Sequence, residues 1–260
     1  MKFTQVRNAT AILEYADKRF LIDPVLADKE AYPGFTGTLN DHLSWPTVDL
    51  PLSIETLLDV DAVIVTHTHP DHWDEAAIQR IPKDIKVFVQ GDDDEKQLHD
   101  AGFTNVHVLG NHTPCGDIQL SKTLGQHGSD HTTSLLGDVL GEVCGIVFSH
   151  PKEKTVYFAG DTVWNRFVVD AIEQHRPEVI VLNVGDAQVP GLGSIIMGKH
   201  DVLNAHKALP SATIIATHME AVNHAALTRS ELRSFIAAQG ILDYVLVPED
   251  GETCELQPTF

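Results

Sequence analysis

The chain has 260 residues, 43% of them hydrophobic and 21% charged, a balance that excludes a disordered or fibrous protein and suits one large folded unit. Its 37 acidic against 18 basic residues give a formal charge of −19. Such a surface repels nucleic-acid phosphates and anionic membranes, so neither partner is expected, and divalent cations would offset only part of the excess. Cys115, Cys144 and Cys254 are odd in number and widely spaced, which signals neither a disulfide framework nor a thiolate metal site. The N-terminus has no apolar leader and no run is long enough to span a bilayer, so a cytoplasmic location is the expectation.

In chain order, residues 2–6, 11–15 and 18–23 read as short alternating strands, with Ala16-Asp17-Lys18 at a hairpin tip. Residues 24–52 carry Pro33, Gly34, Gly37, Pro46 and Pro51, interleaved with Tyr32, Phe35 and Trp45. A loop of that length inside a compact unit is usually functional, and it is expected to flank the active site. Ser53 can cap a short helix, and Ala62-Val63-Ile64-Val65-Thr66 reads as a fully buried strand. A helix over 74–81, a strand over 86–89, a helix over 92–101 and a strand over 106–109 follow, giving β-α-β-α-β order. The second half repeats the style. Strands are expected at 118–124, 145–149, 155–158, 179–183, 213–217 and 244–247, with helices at 167–175, 201–209 and 228–239. No linker parts the halves, so the expectation is one α/β domain over 1–260, two sheets face to face with helices outside.

The strand ending at Thr66 runs directly into His67-Thr68-His69-Pro70-Asp71-His72. Side chains at the carboxyl end of a buried strand point into a shared crevice. His67 and His69, two apart, fall on one side of an extended segment, while Asp71 and His72 in the following turn can aim at a second point. One short segment can therefore serve two neighbouring metal ions. Imidazole and carboxylate donors suit zinc, manganese or iron.

At these residues the chain resembles the metallo-β-lactamase superfamily, whose hallmark is matched by His67-x-His69-x-Asp71-His72. The resemblance spans essentially the whole chain and implies a four-layer αββα sandwich with a two-metal site along one edge. It also implies three more ligands. A third histidine for the first metal is met by His127 in Gln126-His127-Gly128, with His131 nearby as the competitor; His127 is preferred because it follows the 118–124 strand. A bridging aspartate is met by Asp161 in Tyr157-Phe158-Ala159-Gly160-Asp161-Thr162. A histidine ending a late strand is met by His218 after Ile214-Ile215-Ala216-Thr217. Asp23 resembles an aspartate that stands behind the ligands and orients them. Asn223 and His224 are read as groups that support the ligands or meet the substrate. Trp45, Trp164 and Met219 are further guesses for the pocket wall.

The resemblance implies a hydrolase in which a water activated by two divalent ions, zinc foremost and manganese or iron next, attacks a small-molecule substrate. Asp71 is then the catalytic carboxylate, orienting that water and carrying its proton. Within the superfamily the chain is most similar to the branch of ascorbate-phosphate lactonases and phospholipase-D-like phosphodiesterases, which implies an ester, lactone or phosphodiester substrate. Arg166, Lys199 and Arg229 would be the phosphate anchors. Two other readings stand beside this one: a di-iron redox enzyme on the same fold, and an inactive metal-binding regulator. No surface pattern specifies an oligomeric state.

Overall fold

A computed structural model describes residues 1–257. The first sheet has seven strands. They are β1 Lys2–Arg7, β2 Thr10–Tyr15, β3 Lys18–Ile22, β4 Ala62–Val65, β5 Lys86–Val89, β6 Val106–Val108 and a C-terminal strand, Thr253–Glu255. The C-terminal strand lies outside β1; it and the first three strands pair antiparallel, whereas β3 to β6 run parallel. The second sheet repeats the plan. Its strands are β7 Thr113–Cys115, β8 Ile118–Leu124, β9 Cys144–Ser149, β10 Val156–Phe158, β11 Val179–Asn183, and two later ones at Thr213–Thr217 and Val245–Leu246. Antiparallel pairing again gives way to parallel pairing, here at β10.

Three buried clusters define the layers. Phe3, Leu13, Phe20, Ile64 and Phe88 of the first sheet meet Leu120, Phe148, Phe158, Val181 and Ile215 of the second, forming the core between sheets. The outer face of the first sheet, with Val63, Val65, Val87 and Val89, is covered by Leu57, Trp73, Ala77 and Leu98. Those residues come from α1 Ile54–Leu58, the turn before α2 Glu75–Arg80, α2 itself, and α3 Asp92–Asp100. The outer face of the second sheet buries Val168 and Ile172, Val202 and Ala205, and Leu232 and Ile236. They belong to helices Arg166–His175, Lys199–Ala208 and Arg229–Ala238. Strands apolar on both faces, such as β4 and β11, are what sheets covered on both sides require. The result is the αββα sandwich.

The predicted elements recur with ends shifted by a residue or two. Some elements have no counterpart in the sequence reading, among them the short strand β7 and the two-stranded ribbon of Gln188–Val189 with Gly193–Ser194. The helix α4 Asp130–Leu140 is rich in Thr, Ser and Gly, which are weak helix formers, and starts on a Ser129 cap. The strand Thr253–Glu255 is mostly exposed and shows no apolar alternation to betray it. Among the described residues no helix is long and apolar enough to cross a membrane, and the three cysteines are free.

The 24–52 loop is a fixed cover. The buried Arg7 guanidinium donates to the carbonyls of Val25, Ala27 and Val48 at 3.1, 2.8 and 2.9 Å. The Asp74 carboxylate, which also caps α2, accepts from Leu26 N, Ala27 N and the Tyr32 hydroxyl. Thr47 joins the loop to the backbone of Glu220 and Ala221 on the far side of the site.

Candidate metal centre

Asp23 directly follows β3, and its left-handed φ of +46° turns the chain there. Asp23 Oδ1 accepts from Thr66 N at 2.7 Å, and Oδ2 accepts from Thr66 Oγ1 at 2.8 Å and His72 Nδ1 at 2.9 Å. The last residue before the histidine motif and the last residue within it are thus tied to one buried carboxylate. Asn8 closes the turn by donating Nδ2 to the Asp71 carbonyl at 2.7 Å.

His67, His69 and His127 bring one nitrogen each within 4.8 Å of one another. Asp71, His72, Asp161 and His218 do the same with their nitrogens and carboxylate oxygens, again within 4.8 Å. Asp161 stands between the sets. Its Oδ2 lies 3.1 Å from His72 Nε2 and 3.6 Å from His127 Nε2, and its Oδ1 lies 3.6 Å from His218 Nε2. The left-handed φ of +68° at Gly160 delivers Asp161 there, and a Cβ at Gly160 would sit 2.3 Å from the Cys144 carbonyl. Gly185 allows the backbone of His218 to approach closely, since a Cβ there would lie 2.1 Å from the His218 carbonyl oxygen.

The hydrogen bonds on the outer nitrogens decide what the inner ones can do. Thr66 Oγ1 spends its proton on Asp23, so at 3.2 Å it accepts the His67 Nδ1 proton and leaves His67 Nε2 bare. His69 Nε2 faces the Val139 carbonyl at 3.1 Å, which leaves Nδ1 bare, and His127 donates Nδ1 to the Ile195 carbonyl at 2.8 Å. His67 Nε2 and His69 Nδ1 then face each other as lone pairs 3.1 Å apart. Bare imidazole nitrogens converging with no proton between them are a donor set for a cation, and the residues present fit a metal in each cluster.

Electrostatics agree. Burial, with the neighbouring imidazoles of His72 and His69, pushes His67 well below its ordinary pKa, and burial lowers His127 to about 4. Both stay neutral and ligand-competent at physiological pH. Burial also opposes charge on His72 and His218, but Asp161 with Asp23, and Asp161 with Asp71, outweigh it. His72 is held well above its usual value and His218 at about 9. Asp71 and Asp161 resist the upward push of burial because these imidazoles hold both well below the carboxylate range. In the metal-free chain the surrounding carboxylates favour a proton on the His72–His218 pair, whose Nε2 atoms face each other at 3.1 Å, and metal binding must displace it.

A pH dependence follows. His218 rises from 6.5 unfolded to about 9 folded, so its contribution to metal-free stability is full below 6.5 and is lost as pH climbs through 9. Thermal melts of chelated protein are expected to fall over that window, while the gain in Tm from added zinc widens. A gain independent of pH would contradict the displaced-proton account.

The sequence-predicted residues divide as follows. His67, His69, Asp71, His72, His127, Asp161 and His218 converge in the two clusters, and Asp23 lies behind them. The competitor His131 is exposed on α4. Asn223 is engaged with the covering loop: its Oδ1 accepts from Phe35 N at 3.1 Å, and its Nδ2 donates to Thr38 Oγ1 at 3.0 Å and the Leu39 carbonyl at 2.9 Å. It therefore holds the covering loop. His224 is buried with its ring edge-on to Phe35, near enough to the site for the charges of Asp71 and His218 to act on it. Met219 is fully buried in the helix-covered core of the second sheet, which corrects its reading as a pocket residue; Trp164 packs against that same cluster, and Trp45 is buried under the loop. The proposed phosphate anchors are engaged elsewhere. Arg166 pairs with Asp170 and Glu173, Lys199 with Glu231, and Arg229 with Glu220 and Asp250. Sequence reasoning missed Asn183, whose Nδ2 donates to Asp161 Oδ1 at 2.7 Å from the end of β11. Its place at a strand's carboxyl end was the available signal.

This fold, with a potential metal cluster of histidines and aspartates at one sheet edge, defines a metal-dependent hydrolase of the metallo-β-lactamase type. Comparison with known proteins agrees. The model of the beta-lactamase superfamily domain matches residues 2–218. UPF0173 protein YddR of Bacillus subtilis (strain 168) is 52% identical over 254 residues, covering 97% of this chain and 99% of that protein. The crystal structure of an isothiocyanate hydrolase from Delia radicum gut bacteria superposes with a TM-score of 0.97 at 51% identity, over 100% of both chains. A possible metal-dependent hydrolase from Veillonella parvula DSM 2008 gives 0.97 at 44% identity, over 98% of this chain and 99% of that one. The chain belongs to the beta-lactamase superfamily, in its UPF0173 group.

Proposed function

We propose that this chain binds two divalent metal ions, zinc foremost, and hydrolyses small uncharged isothiocyanates to an amine and carbonyl sulfide. The observation that carries the reading is Asp161, set between a cluster of three bare imidazole nitrogens and a second cluster of two imidazoles and a carboxylate. His67, His69 and His127 would hold one ion and Asp71, His72 and His218 the other, with Asp161 shared. When bound, the ions would acidify a water and polarise the electrophilic atom of the substrate. Asp71 would accept the proton of the attacking water and pass it to the substrate nitrogen. Water adds across the C=N bond, oxygen to carbon and hydrogen to nitrogen; the thiocarbamic acid then gives its remaining O–H proton to the nitrogen as the C–N bond breaks, leaving the amine and carbonyl sulfide.

The charge around the site favours an uncharged substrate. A cleft of about 420 Å³ beside His67 and His69 is lined by Gln90, Asp92, Asp93, Asp94 and Glu142, without lysine or arginine among the described residues. Such a lining repels phosphates and carboxylates, and Arg166, Lys199 and Arg229 are paired elsewhere. Phosphodiesters are thus disfavoured, while an ester or lactone carbonyl suits the same machinery. Among uncharged electrophiles, isothiocyanates are preferred because of the similarity to the hydrolase so titled, at 51% identity over the full chain. Zinc-loaded protein given benzyl isothiocyanate is expected to release benzylamine and carbonyl sulfide in equal amounts, and chelated protein to release neither. Turnover of a lactone with none of any isothiocyanate would contradict the substrate assignment.

A further inference from the structure

The covering loop carries an aromatic stack of its own. Phe35 is only half-buried, and its ring stacks on Trp45 with centroids 5.0 Å apart and planes at 18°. Trp45 is buried against Val25 and Val222, so the stack rests on an immobile base. The Phe35 ring also meets His224 at 4.9 Å and 78°, an edge-to-face contact. His224 is buried a short way after His218 in the chain, and Thr47 of the same loop bonds to the backbone of Glu220 and Ala221 just beyond that histidine, which sets Phe35 on the side of the second cluster. Asn223 fixes the backbone of this segment through Phe35 N, Thr38 and Leu39. An aromatic surface ordered before the substrate arrives costs little to use on binding.

We propose that Phe35, propped on Trp45 and His224 and held by Asn223, is the specificity-determining residue that packs against the organic substituent of an uncharged substrate, favouring aromatic over small groups. This rests on the isothiocyanate reading and adds which part of the substrate the loop recognises. A ring placed edge-on or offset against Phe35 gains attraction beyond simple burial, which a methyl group has no ring to supply.

The test compares kcat/KM of the zinc-loaded protein on benzyl and on methyl isothiocyanate. Phe35→Ala is expected to lower the benzyl value about tenfold and to change the methyl value less than about twofold. Phe35→Leu is expected to fall between, and serves if the alanine variant folds poorly. Asn223→Ala should move the same ratio in the same direction by loosening the loop. Equal losses on both substrates, or no change on either, would overturn the proposal. If the wild type hydrolyses neither compound, the isothiocyanate reading fails and the role of Phe35 is judged by ligand binding alone. Cobalt-loaded protein is then titrated with benzyl mercaptan and with ethanethiol, followed by visible absorption. Selective weakening of benzyl mercaptan by Phe35→Ala supports that role, and equal weakening of both thiols overturns it.

Discussion

Asp161→Ala is expected to reduce hydrolysis by at least about a hundredfold and to leave fewer than two metal ions per chain. Groups that merely orient a metal's ligands are worth 10–100-fold, and a carboxylate shared by both ions exceeds them. The physical reason is position: Asp161 Oδ2 faces His72 at 3.1 Å and His127 at 3.6 Å, one imidazole from each cluster. Its removal takes the shared anion from between the two clusters. The fold should survive, because Asp161 lies on the turn after β10 and its remaining hydrogen bond is the one from Asn183. Steady-state rates, elemental analysis and a thermal melt check the three parts; a variant with two metals and wild-type turnover would remove Asp161 from the mechanism.

Asp23→Ala is the second large effect, and it acts from behind the metals. The substitution strands the Thr66 amide, the Thr66 hydroxyl and His72 Nδ1, all buried donors. Each buried polar group left without a partner costs about 1–3 kcal/mol, so a loss on the order of 3 kcal/mol in unfolding free energy is expected even without metal. His72 is also freed to rotate or to change tautomer. Zinc affinity, read by competition with a chelator, should fall 10–100-fold. Unchanged affinity in a folded variant would show that the Asp23–His72 bond does not orient the ligand.

How much of this was legible in the sequence depends on chain distance and atom type. The αββα plan was readable because β4 and β11 are continuous apolar runs alternating with helical segments. The segment from His67 to His72 announced itself because four donors follow one buried strand within six residues. Asp161 and His218 also follow strands, β10 and Thr213–Thr217, where the parallel part of the second sheet delivers its side chains to the same edge. The rest was hidden for physical reasons. The carbonyls that fix His69 and His127 belong to Val139 and Ile195, and a carbonyl leaves no residue-type signature. Asn223 looked like a substrate contact because its partners, Phe35 to Leu39, lie more than 180 residues away in the chain. Met219 directly follows a ligand, yet the left-handed turn at His218 sends it into the core.

The measurement that tests the central claim most directly is metal content per chain, by elemental analysis of protein purified without added metal and again after reconstitution with zinc. Two zinc equivalents per chain are predicted after reconstitution. No bound metal after reconstitution, or a single ion insensitive to loss of Asp161, would contradict the two-metal hydrolase.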